Sequence, residues 1–92
     1  MNARLPRPHP SVVFQTVADG AVLLQMEEEI YFGLNSVGAR IWQLLAKECS
    51  ELDELCTSLA KGYPEIDPGV LRTDVVELLE QLEQGKLVVA SE

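Results

Sequence analysis

Residues 29–45 read EIYFGLNSVGARIWQLL, and two periodicities meet inside them. Ile30, Phe32 and Leu34 alternate with Tyr31 and Gly33, the period of two of a half-buried strand. From Val37 the spacing changes: Val37, Ile41, Leu44 and Leu45 stand at i, i+4, i+7 and i+8, one face of a helix. Asn35 falls at the change, where its side chain can accept a hydrogen bond from a free amide of the first turn. A strand running directly into a capped helix marks where a sheet ends and a helical layer begins.

The chain before this junction predicts sheet. Ser11–Ala18 (SVVFQTVA) is rich in β-branched residues and reads as a strand. Asp19-Gly20 follows, a dipeptide suited to a two-residue hairpin turn, and Ala21–Met26 (AVLLQM) is the return strand. Glu27-Glu28 turns the chain into a third strand, Glu29–Leu34. Such a meander leaves two edges open, the third strand at one of them. Residues 1–10 carry Pro6, Pro8 and Pro10 and no periodicity, so they predict a flexible arm ahead of a single domain at 11–90.

The chain after it predicts three helices. The first spans Ser36–Glu48, with Trp42 off the centre of its apolar stripe and placed to cover the seam with its neighbours. Gly38 costs about 1 kcal/mol there against alanine, which points to close approach of another backbone. Ser50-Glu51-Leu52-Asp53 is a capping arrangement for a second helix that turns Leu52, Leu55, Cys56, Leu59 and Ala60 inward and stops at Gly62. Asp67-Pro68 starts the third helix, which runs to Gln84 and closes at Gly85. Its Leu71, Val75, Leu78, Leu79 and Leu82 share one arc and face the core. Val76 lies outside that arc, flanked by Arg72, Thr73, Glu80 and Glu83, where it can line a groove between this helix and the open third strand. Lys86–Ala90 then packs back through Leu87 and Val89. The fold class is α+β, a three-stranded antiparallel sheet followed by three helices, winged-helix-like in shape.

Composition narrows the function. Ninety-two residues with a hydrophobic fraction of 47% make one small domain that needs no staple. Fifteen acids against seven bases give a net charge of −8, which repels phosphate backbones. The bases are scattered, so nucleic acid is not the partner; a basic peptide or protein suits the charge better. No apolar run approaches a membrane span of roughly 18–20 residues. The N-terminus lacks the apolar stretch of a signal peptide, and the expectation is a cytoplasmic protein.

Catalytic chemistry is missing from the pattern. Cys49 and Cys56 lie seven apart and fit no zinc or redox spacing, and Cys56 shares a helical stripe with Leu52, Leu55 and Leu59 as a buried thiol would. His9, the one histidine, sits in the proline-rich tail without a ligand partner at useful spacing. No nucleophile stands with a base and an orienting acid, and there is no phosphate-cradling glycine loop. The reading is therefore a non-catalytic protein with no metal and no cofactor: a binding module, an assembly part, or a winged-helix regulator. The last is disfavoured because Asp74, Glu77, Glu80 and Glu83 dominate its would-be recognition helix.

The hairpin DGAVLL (19–24), the strand YFGLN (31–35), the helix VGARIWQLL (37–45) and the final DVVELLEQLEQGKL (74–87) together resemble the PqqD-like family, over about residues 12–89. The members of that family are RiPP precursor recognition elements, which bind the leader peptides of ribosomally made natural products. The pairing of G-x-x-L-L with LN-x-x-G-A-x-x-W is most similar to the free-standing leader-binding proteins of lasso-peptide clusters. The resemblance implies that a leader peptide adds as a strand beside the third strand and lies against the third helix. The residues it implies are Glu29, Ile30, Tyr31, Phe32 and Gly33 on the strand, with Arg72, Thr73, Val76, Leu79, Glu80 and Glu83 on the helix. It also implies a partner enzyme: a separate leader peptidase in the lasso setting, or a radical-SAM maturase in the PqqD-like alternative. Without peptide, the open strand is free to pair with a second copy of the chain.

Overall fold

The computed structural model describes residues 5–47 and 51–89. Eight elements follow in order: β1 (Arg7–Pro8), β2 (Val12–Val17), β3 (Gly20–Gln25), β4 (Ile30–Asn35), α1 (Ser36–Lys47), α2 (Leu52–Gly62), α3 (Pro68–Gln84) and β5 (Val88–Val89). Strands β2, β3 and β4 form the antiparallel meander in that order, and β1 pairs with β5 as a separate two-stranded ribbon. The architecture is α+β, as the periodicities predict. Glu48, Cys49 and Ser50, on which the expected end of α1, one thiol and the cap of α2 fall, lie outside the described residues.

Period-two burial is clear along the sheet. Ala21, Leu23 and Gln25 of β3 and Leu34 of β4 are buried, and Phe14 and Phe32 pack beside them. The helices cover this face: α1 lies against β3 and β4, α2 against α1, and α3 against α1 and α2. Ile41, Leu44 and Leu45 of α1, Leu55 and Leu59 of α2, and Leu71, Val75 and Leu82 of α3 complete the core. Trp42 is buried with them rather than covering a seam, so the apolar face of α1 is wider than its stripe suggested.

The caps explain the boundaries. Asn35 Oδ1 accepts the Gly38 N–H at 2.7 Å, so β4 passes into α1 without a linker. Asp67 Oδ1 accepts the Gly69 N–H at 2.7 Å, with Pro68 in the first turn of α3. Gly38 is buried, and a Cβ there would press on the Leu34 side chain and on Asn35 Oδ1. Its close neighbours are thus side-chain atoms of the preceding strand, not the backbone of another element.

Three local expectations need correction. Val17 pairs with Gly20, so the hairpin turn is Ala18-Asp19, one residue earlier than the Asp19-Gly20 dipeptide suggests. Gly20 has no positive φ; it opens β3 where any Cβ would collide with the Leu34 carbonyl oxygen, so close strand approach is what demands glycine. The arm expected over residues 1–10 is tied to the core over residues 5–9. Leu5 is 1% exposed, Arg7 and Pro8 pair with Val89 and Val88, and the His9 N–H donates to the Leu87 carbonyl at 3.0 Å. At the C-terminal end Leu87 and Val88 are buried while Val89 is 39% exposed, which replaces the expected inward pair Leu87 and Val89.

Candidate functional site

Among the described residues strand β4 has a hydrogen-bonding strand neighbour on one side only, so part of its backbone N–H and C=O groups face outward from the sheet. Its six residues, Ile30–Asn35, carry no charge and no proline, the devices that usually blunt an edge. Tyr31 and Gly33 face away from the helices, and Tyr31 is 74% exposed. The strand is entered through Glu29, whose φ of 55° sets the bend out of the preceding turn.

Beside this edge runs a groove of about 310 Å³. Its strand side is Phe32 to Asn35, its floor is Val37, Gly38 and Ile41 of α1, and its far wall is Asp74, Glu77, Leu78 and Gln81 of α3. These four α3 residues recur at three- and four-residue spacing and so form one stripe facing the strand. Volume and lining suit an extended peptide segment: an apolar floor, a polar wall and an unpaired strand edge to set direction.

A second, shallower cavity of about 260 Å³ is lined by Gly69, Arg72, Thr73, Val76 and Glu77. Glu77 belongs to both linings, so the two hollows adjoin along the N-terminal half of α3. Arg72 is engaged there: its Nη1 donates to Asp53 Oδ1 of α2 at 2.7 Å. That hydrogen bond holds the guanidinium above its ordinary pKa, with the nearby Asp53 charge adding to it. Burial pushes the neighbouring Cys56 thiol up, while Arg72 draws it partly back.

The residues expected from sequence are therefore distributed over several places. Phe32 and Gly33 line the larger groove, and Ile30 and Tyr31 continue the same strand edge. Arg72, Thr73 and Val76 come together in the second cavity. Leu79 is half-buried and packs against the core, and Glu80 and Glu83 are exposed outside both linings. Asp74, Glu77, Leu78 and Gln81 of the larger groove were not anticipated as a site, because α3's rotation about its own axis depends on what α1 and α2 present. The available signal was the three- and four-residue spacing that puts all four on one stripe. His9 lies elsewhere, its Nδ1 accepting the Ser11 N–H and its Nε2 3.4 Å from Glu27 Oε1.

The remaining face of the sheet is apolar too. Val13, Leu24 and Tyr31 form one cross-strand row, and Val22 stands opposite Gly33 in the next. Val13 and Val17 of β2 are about half exposed, at 49% and 51%. No helix among the described residues is long and apolar enough to cross a membrane.

Comparison with known proteins gives two matches. The family described as Coenzyme PQQ synthesis protein D (PqqD) matches residues 20–88. A solved structure described as TbiB1 in complex with the TbiA(beta) leader peptide is similar over 89% of this chain and 93% of that one, at 30% identity and a TM-score of 0.77. No curated protein matches the chain.

Proposed function

The chain belongs to the PqqD family, and from that premise we propose that it binds the leader segment of a ribosomally made precursor peptide and has no catalysis of its own. The leader adds as a strand to the open edge of β4, with the backbone of Glu29–Gly33 supplying hydrogen bonds and direction. Side chains on its inner face descend onto Val37, Ile41 and Leu78. A segment longer than β4 continues past Glu77 into the hollow at Thr73 and Val76, beside Arg72. The observation that carries this reading is the uncharged edge of β4, unpaired among the described residues and set against an apolar-floored groove. The likeness to TbiB1, solved with a leader peptide, supports it.

The setting we propose is lasso-peptide maturation, which the sequence motifs resemble, with the bound leader handed to a separate leader peptidase. The apolar row of exposed Val13, half-buried Leu24 and exposed Tyr31 supports a protein partner, because a patch of this kind spanning three strands is of the type that protein contacts cover. A PqqD-like adaptor serving a radical-SAM maturase would use the same groove and differ in the enzyme at that face.

The test is fluorescence anisotropy with a labelled leader from the precursor gene nearest to this one. Submicromolar binding is expected, weakened at least about tenfold by Leu78→Glu. Val76→Glu reports whether the peptide extends into the second hollow. An intact fold that binds no neighbouring leader would remove the proposal.

A further inference from the structure

The wall of the groove is negatively charged on one side only. Asp74 and Glu77 stand three residues apart on the stripe of α3 that faces β4, and both are exposed. No base among the described residues lines the groove: the other residues are Phe32, Gly33, Leu34, Asn35, Val37, Gly38, Ile41, Leu78 and Gln81. Among the described residues neither carboxylate makes an ion pair or a side-chain hydrogen bond, in contrast to Asp53, which is held by Arg72. From Pro10 to Ala39 the chain contains Asp19, Glu27, Glu28 and Glu29 but no lysine or arginine, so the sheet side supplies no partner either.

From this we infer that Asp74 and Glu77 are specificity-determining residues, which select a peptide carrying lysine or arginine on its helix-facing side next to an apolar anchor. The inference rests on the strand-addition reading and adds to it a chemical class of ligand. A strand laid along β4 alternates its side chains between the two faces of the sheet. Those on the inner face pass between the floor and the α3 wall. An apolar one fills the space over Val37, Ile41 and Leu78; a long basic one, two residues away on the same face, reaches the wall with its charge while its methylenes cover the floor. An acidic side chain in that place meets two like charges in a partly enclosed groove and is rejected. The wall therefore discriminates at equilibrium, and does so at short range.

The experiment is selection of a phage-displayed random dodecapeptide library on the full chain, in parallel on the Asp74→Asn/Glu77→Gln double variant. A charge-matched control, Asp19→Asn/Glu65→Gln, removes the same net charge from exposed positions outside the groove. Peptides selected on the parent are expected to share an apolar anchor with a lysine or arginine at fixed spacing from it. The double variant keeps the anchor and loses the basic preference, and binds a parent-selected peptide about three- to tenfold more weakly, while the control retains both. Asp74→Lys/Glu77→Lys is expected to select acidic residues at the same spacing. An anchor without any basic preference, or a basic preference that survives in the double variant, overturns the inference and leaves strand addition standing. Failure to enrich any peptide on the folded parent overturns both.

Discussion

Lys86 occupies the left-handed region at φ 58°, in the position where a helix terminus most often has glycine. Its N–H donates to the Glu83 carbonyl at 3.2 Å and the Leu87 N–H to the Leu82 carbonyl at 2.9 Å, the pair of bonds that closes a Schellman turn. Gly85, which the sequence offers as the stop, has a φ of −85° and plays the ordinary helical cap. Lys86→Gly is expected to raise stability by roughly 0.5–1 kcal/mol, the relief of left-handed strain less the extra entropy of an unfolded glycine. A raised urea midpoint with unchanged slope would show it; a lowered midpoint would contradict the geometry. The same turn is held by Gln25, the only buried polar residue among those described. Its Nε2 donates to the Lys86 carbonyl at 2.9 Å and its Oε1 accepts the Glu27 N–H at 2.8 Å. Gln25→Leu strands both partners and is expected to cost roughly 1–3 kcal/mol by chemical denaturation. Neither role was legible in the sequence. A glutamine at the end of an alternating strand looks like a surface residue, and its partner lies sixty-one residues away.

At the scale of elements, most of what was legible rested on local chemistry. The change of period at Asn35, the cap at Asp67 and the arc of leucines on α3 depend on neighbours within a turn, and the structure has them where the sequence places them. The ribbon of β1 and β5 was not legible. Two residues each, joined across the length of the chain, leave no periodicity, and three prolines argue for an open arm. Yet Leu5, just before β1, is a core residue. Leu5→Ala is expected to destabilise the domain by about 2–4 kcal/mol, comparable with any interior leucine. A thermal melt unchanged by this substitution would return residues 5–9 to the status of an arm. The strand side of the groove was legible from the open edge, whereas the helix residues expected beside it centre on Val76, which lines the adjoining hollow. In sequence Asp74, Glu77 and Gln81 read as an ordinary solvated face and Leu78 as core, and only packing against α1 turns the four toward β4 as one stripe.

Taken whole, the molecule puts an uncharged sheet inside an acidic envelope. The net charge of −8 acts over a Debye length of about 8 Å at physiological salt, and with the basic leader proposed above it would steer encounter more than it sets affinity. Raising salt from about 0.05 to 0.5 M is expected to lower the association rate roughly tenfold, with a smaller change in dissociation. Stopped-flow rates that do not vary with salt would remove steering. Charge reversal at Glu80 and Glu83, exposed beyond the groove, should flatten that salt dependence.

The most direct test of strand addition is amide hydrogen exchange with and without bound leader. If the leader pairs with β4, the outward-facing amides of Ile30–Asn35 slow on binding, while those of β2, at the far edge of the sheet, exchange as before. A leader that binds tightly yet leaves every β4 amide unprotected would contradict the account, and would place the peptide on helices or on the outer sheet face instead.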